Sequence, residues 1–432
     1  MISVWSDSTN FSAFKQLKKN IKTDVLIIGG GITGILCAYM LEQAGVDYVL
    51  VEANKLCSGI TQNTTAKITM QHGLVYHKLI KRFGLEKTRM YLHAHEAALQ
   101  EYYKLSKTID CGFETKDSYV YSLNRPRKLE KELHALNQLG VDADYVNELP
   151  LPLSTVGAVR FKNQAQFNPL QFLAKISEGL SIYEHTKVRE LAPNTAITEH
   201  SKITADKIIV TTHFPILNKH GSYFLKMYQH RSYVIGYKNA ENVNGMYVDE
   251  SDKGLSFRNY KDLLLIGGGD HRTGKRGGNW KEISEFTATH YPNAYAQYYW
   301  ATQDCMTLDE VPYIGPYSKN TENLYVATGF NKWGMTSAMT AAILLRDLVL
   351  KKVCSYAPVF STSRTMLRTQ LFINDFETTT NLLTPSTKRC PHLGCALKWN
   401  PNERSWDCPC HGSRFTENGK LIDNPATDDL KA

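Results

Sequence analysis

Between Asp24 and Glu52 the chain has little choice of local structure. Val25-Leu26-Ile27-Ile28 is a short apolar run rich in β-branched residues, and it stops at Gly29-Gly30-Gly31-Ile32-Thr33-Gly34. Ile35, Leu36, Ala38, Tyr39 and Leu41 then follow at helical spacing up to Gly45, and Tyr48-Val49-Leu50-Val51 ends in Glu52. The order strand, glycine turn, helix, strand, acid predicts a dinucleotide-binding unit. Gly29 permits the tight turn, Gly31 lets backbone approach a pyrophosphate, and Gly34 lets the helix pack close to the strand. The amides and dipole at the helix start, around Ile32 and Thr33, favour phosphate charge. Glu52 stands where an acid accepts hydrogen bonds from an adenosine ribose. This pattern does not separate NAD from FAD. Residues 25–41 also carry no charge, but the run is marginal in length for a membrane span and holds three consecutive glycines, so no crossing segment is expected.

A chain of 432 residues has room for two or three domains. The formal charge of +8 is spread along the chain. Its densest basic stretches, 15–22 and 125–131, lack the aromatic interleaving of a nucleic-acid site and read as solvated faces. Met1 to Asn10 shows no charged segment followed by an apolar core, so no signal peptide is expected and the cytoplasm is the expected compartment. Cys37, Cys57, Cys111, Cys305 and Cys354 are scattered, whereas Cys390, Cys395, Cys408 and Cys410 crowd near the C-terminus. In a cytoplasmic protein such crowding suggests a metal before structural disulfides.

The loop after Glu52 includes Thr61, Thr64 and Thr65, hydroxyls suited to phosphate or ribityl oxygens, although a surface loop has the same composition. Helices are expected over 77–107, 128–139 and 169–180. Strands are expected at 119–121, 158–161, 181–184, 187–191 (including Val188), 195–198 and 206–212, the last ending in Thr211 and Thr212. His93 and His95, two apart, face different sides of a helix and make a poor metal pair. Residues 230–265 alternate like antiparallel strands and predict a second, sheet-based domain. Gly267-Gly268-Gly269 reads as a turn, since no helix start follows it.

Four separated stretches resemble one family, the D-amino-acid oxidase-like flavoproteins that include glycine and sarcosine oxidases. They are the glycine turn with Glu52, the threonine-rich loop, residues 205–212, and a segment running from Trp300 through Asp309 and Pro312 to Gly329, Trp333, Gly334, Met335 and Thr336. The resemblance implies FAD, a Rossmann-like α/β domain assembled from separated segments, an antiparallel β substrate domain, and hydride removal from a C–N or similar bond. A helix beginning at Met335 would set its positive end against negative charge at the flavin N1–C2 carbonyl. Asp304 stands where many relatives have Arg. Cys305 is misplaced for the covalent flavin bond of some sarcosine oxidases, so non-covalent FAD is expected. Arg258 sits where amino-acid oxidases carry the Arg that pairs with substrate carboxylate, and equally suits a strand-end surface Arg. Tyr233 is a second candidate for the substrate pocket.

Cys390-Pro391-His392-Leu393-Gly394-Cys395 and Cys408-Pro409-Cys410-His411-Gly412-Ser413 place a Cys-x-His and a Cys-x-x-His set at metal-binding spacing. Zinc, or simple disulfides, would satisfy the Cys and His but would not explain Pro, Gly and Ser at those places. Both boxes resemble the Rieske 2Fe–2S signature. That resemblance implies Cys390 and Cys408 on one iron, His392 and His411 on the other, and Cys395–Cys410 as a disulfide clamp. Ser413 matches the residue that hydrogen-bonds a bridging sulfide, while Phe415 replaces a Tyr of high-potential relatives. The β-rich base of such domains is missing, so a small, shortened all-β unit is expected, needing a cluster or a neighbour to stay folded.

The expected layout alternates FAD-binding segments (1–90, 151–215, 315–353) with substrate segments (91–150, 216–314). A linker over 354–386, with a helix at 362–372, would lead to the iron–sulfur unit at 387–432. The function expected is an FAD-dependent oxidoreductase that takes hydride from an amino acid or amine and passes electrons through the cluster to a one-electron acceptor protein or quinone. Two alternatives are a plain oxidase using dioxygen with a structural cluster, and a non-catalytic redox-responsive binding protein.

Overall fold

The computed structural model describes every residue except 1, 217–219, 252–253, 278, 366–368 and 432. Its first sheet has the order Tyr313–Pro316, Leu324–Thr328, Lys202–Val210, Ile21–Ile28, Tyr48–Val51, Ile182–Tyr183, with the hairpin Val188–Ala192/Thr195–Thr198 attached. The central pairs are parallel: Ile27 sits opposite both Ile209 and Leu50, and all three are fully buried. Strands covered on both faces need continuous apolar runs, which is why 25–28, 48–51 and 208–210 read as they do. The helices Ile32–Gln43 and Gly334–Val349 pack on this sheet through Ile35, Leu36, Ala38, Ala338, Ala341 and Ala342, members of one core.

The second sheet is mixed: Tyr295–Thr307, Met227–Lys238, Leu263–Arg272, Ser256–Tyr260, Met246–Asp249, Glu114–Ser122, Gly157–Gln166, Lys67–Ile68, with Ala143–Val146 beside Gly157–Gln166. Every pair is antiparallel, as expected, except Met246–Asp249 with Glu114–Ser122, which is parallel. Gly157–Gln166, within the segment 151–215, lies in this sheet.

Several local expectations need correction. Gly267, Gly268 and Gly269 are not a turn but part of the strand Leu263–Arg272. They are glycines because neighbours press on them: a Cβ at Gly268 would lie 2.6 Å from Leu255, and one at Gly269 (φ +67°) 2.3 Å from the Asn279 carbonyl. The long helix Tyr76–Ser106 is broken at Gly84, whose φ of 80° is not helical. The linker helix spans Thr369–Leu383 rather than 362–372. Arg364 accounts for the shift. Its guanidinium grips Asp309 (2.9 and 3.1 Å) and donates to the carbonyls of Val311, Pro312, Val359 and Ser361, which holds the preceding stretch irregular. Residues 366–368 of that expectation lie outside the described residues.

The C-terminal unit is a four-stranded antiparallel meander, Lys398–Asn400, Ser405–Asp407, Arg414–Thr416 and Leu421–Asp423. Its core is small: Cys390, Cys395, Leu397, Cys408, Cys410, Phe415 and Ala426. Among the described residues no helix is long and apolar enough to cross a membrane.

Candidate functional site: a shared cavity and a Cys–His unit

A cavity of about 730 Å³ opens at the C-terminal ends of the parallel strands. Gly29 (φ +110°) makes the turn, and its amide donates to the Val51 carbonyl (2.9 Å). A Cβ at Gly34 would sit 1.9 Å from the Gly29 carbonyl oxygen, so the helix approaches the strand as closely as the sequence required. Thr61 Oγ1 accepts from the Ile32 amide (3.1 Å), while Glu52 accepts from the amides of Gly30 (2.7 Å) and Asn54 (2.8 Å).

The structure brings Gly29, Gly31, Ile32, Thr33, Glu52, Thr61, Thr64, Thr65, Val188, Thr211, Tyr233, Gly329, Trp333, Gly334 and Met335 to the cavity wall. Three predicted residues are not on it. Gly34 acts through packing. Thr336 is buried behind the wall, donating to the Thr69 carbonyl (2.9 Å) beside His72. Arg258 is corrected outright. Its Nη1 donates to the carbonyls of Thr65 (2.8 Å) and Ala66 (2.7 Å), its guanidinium lies 5.4 Å from the Trp5 ring, and burial lowers it to about 9. A guanidinium committed to two carbonyls behind the wall is a brace for the threonine loop, not a substrate anchor.

The wall also holds charged residues that were not singled out as site residues. Lys67 lines it, lowered to about 7 by burial and then by Arg258. Asp304, Asp270 and Lys332 line it from three segments, with Lys332 Nζ 2.8 Å from Asp270. Local sequence offered a signal only for Asp304, through its departure from Arg.

In the C-terminal unit the two boxes fold as matched turns. The Cys390 amide donates to the Cys395 carbonyl (2.9 Å) and that of Gly394 to the Cys390 carbonyl (2.9 Å); Cys408 with Ser413 (2.8 Å) and Gly412 with Cys408 (2.9 Å) repeat the pattern. Gly394 (φ +81°) and Gly412 (φ +89°) supply the left-handed positions. Cys395 and Cys410 form a disulfide. Their sulfurs lie near that of Cys408, but bridged sulfurs are not available to a metal, so Cys390 and Cys408 are the free thiols. Cys390 is pulled down to about 7, chiefly by the thiol of Cys408. The His392 and His411 rings lie 5.0 Å apart. Burial lowers them to about 4 and about 3, so both are neutral at pH 7, the form that ligates a metal. His411 Nδ1 is buried with no hydrogen-bond partner among the described residues. Two thiols and two neutral imidazoles, one with an orphaned nitrogen, fit a mixed-ligand iron–sulfur centre.

This unit is docked on the flavin-type body. Asn424 Nδ2 donates to the carbonyls of Thr212 (2.6 Å) and Phe214 (2.7 Å), and Gln303 Nε2 donates to that of Gly412 (2.9 Å). Phe214 lies edge-on to His392 (6.3 Å) and Phe224 to His411 (5.9 Å). Arg231, Arg414 and Tyr233 converge on buried Glu403. Leu421, Asp423, Asn424 and Thr427 thereby join the wall of the same cavity.

A Rossmann-like sheet joined to a mixed sheet over one cavity, with a docked Cys–His turn pair, defines a flavoprotein oxidoreductase carrying an iron–sulfur unit. Residues 24–348 match the FAD dependent oxidoreductase family DAO, and residues 351–432 match the Rieske [2Fe-2S] domain. The chain belongs to that FAD-dependent oxidoreductase family and carries a C-terminal Rieske domain; its cofactors are FAD and a 2Fe–2S cluster. It is 36% identical to the putative Rieske 2Fe-2S iron-sulfur protein YhfW of Bacillus subtilis, over 99% of this chain and 96% of that protein. A cytochrome b6-f complex iron-sulfur subunit of Synechococcus is 50% identical over 42 residues, 10% of this chain and 24% of that subunit. The fold is similar to those of glycine oxidase from Geobacillus kaustophilus (TM-score 0.67, 18% identity, 80% of this chain and 99% of that one) and L-proline dehydrogenase from P. horikoshii (TM-score 0.67, 17% identity, 80% and 98%).

Proposed function

We propose that this protein is a dehydrogenase that takes hydride from an amino acid or amine-like substrate and sends the electrons through its own cluster to a one-electron acceptor protein or a quinone. The observation that carries this reading is the shared cavity: Leu421, Asn424 and Thr427 of the Rieske unit line the same space as Gly31, Thr65 and Trp333. In this reading FAD supplies a two-electron hydride acceptor and the 2Fe–2S centre a one-electron carrier. The backbone at Gly29, Gly31, Ile32 and Thr33 holds the pyrophosphate, and Glu52 turns to the adenosine ribose beside Val188. Thr61, Thr64, Thr65 and Thr211 meet the ribityl–phosphate chain. Gly329, Trp333, Gly334 and Met335 meet the ring, with Thr336 supporting them from behind. The start of the helix Gly334–Val349 and the Lys67 ammonium face the charge that arrives with hydride.

FAD is held without a covalent bond in this reading: the Cys305 thiol donates to the His213 carbonyl (3.7 Å), and burial raises it above its ordinary range. Cys390 and Cys408 hold one iron and His392 and His411 the other. The buried free thiols Cys37, Cys57, Cys111 and Cys305 suit the reducing cytoplasm as its compartment. The test is anaerobic turnover of an artificial one-electron acceptor with amines and amino acids. Cys408→Ser is expected to keep substrate-dependent flavin bleaching and lose most acceptor reduction. Equal acceptor reduction with and without the cluster would overturn the reading.

A further inference from the structure

We propose that the substrate is a cationic amine without a carboxylate at its reacting end, and that Asp304 holds the ammonium group and takes its proton. This rests on the reading of the cavity as an amine-oxidising flavin site. The strand Tyr295–Thr307 turns Thr302, Asp304 and Met306 to the cavity, facing Ser232, Asp270 and Lys332. Lys332 is neutralised by Asp270 at 2.8 Å. Among the described residues the Asp304 carboxylate makes no hydrogen bond or salt bridge, and the charges that reach it are Lys332, Asp270 and Arg231.

No arginine lines the cavity among the described residues. Arg258 is spent on the Thr65 and Ala66 carbonyls, and Arg231 on Glu403. Beside Asp304 a substrate carboxylate would be desolvated next to a neutralised ion pair and a second carboxylate, which is costly. Lys67, a cation on the wall without a carboxylate partner among the described residues, is lowered by burial to about 7 and so is only partly charged at neutral pH. An ammonium group meets the opposite situation, with one carboxylate left over to pair with it. Burial raises Asp304 to about 6, against the pull of Lys332, which makes it a competent acceptor for an ammonium proton at neutral pH. R–CH2–NH3⁺ gives one proton to Asp304, the neutral amine loses hydride from its α-carbon to FAD, the oxidant, and R–CH=NH2⁺ leaves to be hydrolysed by water to aldehyde and ammonium.

The test uses the full chain loaded with FAD. Tetramethylammonium, which carries the charge but has no N–H to lose, is titrated against acetate by perturbation of the flavin absorption band. In parallel, anaerobic flavin bleaching is followed with butylamine and N-methylbutylamine against glycine, sarcosine and L-proline. Tetramethylammonium is expected to bind at least about tenfold more tightly than acetate. Asp304→Asn should lose about tenfold of that affinity while keeping its flavin spectrum, and Asp304→Glu should restore most of it. The amines should bleach the flavin and the amino acids should not. Tighter binding of acetate, or faster bleaching by the amino acids, would overturn this inference and leave the flavin-to-cluster reading standing. Flavin that dithionite reduces but no amine or amino acid bleaches would overturn the amine chemistry itself, and this inference with it.

Discussion

Replacing Glu403 with Ala should loosen the cluster unit from the flavoprotein body. Glu403 is 2% exposed and receives hydrogen bonds from Arg231, from Arg414 (2.8 Å) and from the Tyr233 hydroxyl (3.0 Å). Arg414 keeps Asp407 (3.0 Å) and Asp423 (3.1 Å) if the glutamate goes. Arg231, also 2% exposed, has no other salt bridge among the described residues. Removing one partner of a buried pair leaves an uncompensated charge and costs roughly 3–5 kcal/mol, to which the lost Tyr233 hydrogen bond adds about 1 kcal/mol. The exposed pair Arg404–Glu417 (72% and 52%) is the control, and Arg404→Ala should change stability by no more than about 1 kcal/mol. In urea titrations read by cluster absorbance and by flavin fluorescence, Glu403→Ala should move the cluster transition to lower denaturant, ahead of the flavin transition. Arg231→Leu with Glu403→Leu should recover most of the loss, because neither charge then remains unpaired. Burial raises a carboxyl pKa, yet Arg231 and Arg414 hold Glu403 below its ordinary 4.5. Its stabilising share is therefore full above pH 4.5 and fades as pH falls through the lowered value. Identical titrations for Glu403→Ala and Arg404→Ala would refute the argument.

Glu52→Gln should weaken FAD binding by about 1–3 kcal/mol, read as FAD affinity after deflavination, the scale of a hydrogen bond to a charged group. Acid precipitation should release the flavin, and colour remaining in the pellet would contradict a non-covalent site. Gly34→Ala should give protein without flavin, since its Cβ would meet the Gly29 carbonyl oxygen at 1.9 Å; normal flavin content would show that the helix can retreat. If His392 and His411 ligate iron, the reduced protein should show the low-average-g EPR signal of a mixed-ligand cluster. His411→Cys should then lower its potential by adding thiolate charge, whereas one zinc and no sulfide per chain would discard the assignment.

The elements legible in the sequence are those whose cause is local. Gly29, Gly31 and Gly34 answer to turn geometry and close packing within one βαβ unit, and the two Cys–His boxes answer to ligand spacing. Arg258 is not legible as a brace, because the Thr65 and Ala66 carbonyls it holds lie 193 and 192 residues away in sequence. Gly267 to Gly269 looked like a turn because glycine usually marks one, but here it makes room for Leu255, Asn279 and Ser256. Asp304 was visible as a departure. Its meaning depends on Lys332 being neutralised by Asp270, a contact that no periodicity reports. The docking of Glu403 and Asn424 on Arg231 and Thr212 is tertiary in the same way.

The most direct test of the account is anaerobic rapid mixing of the holoprotein with substrate, following flavin absorbance and, in freeze-quenched samples, the cluster EPR signal. The account predicts that flavin bleaches first and the cluster signal rises after it within the turnover time, and that Cys408→Ser abolishes only the second phase. A cluster that stays oxidised beside fully reduced flavin over many turnover times would contradict it.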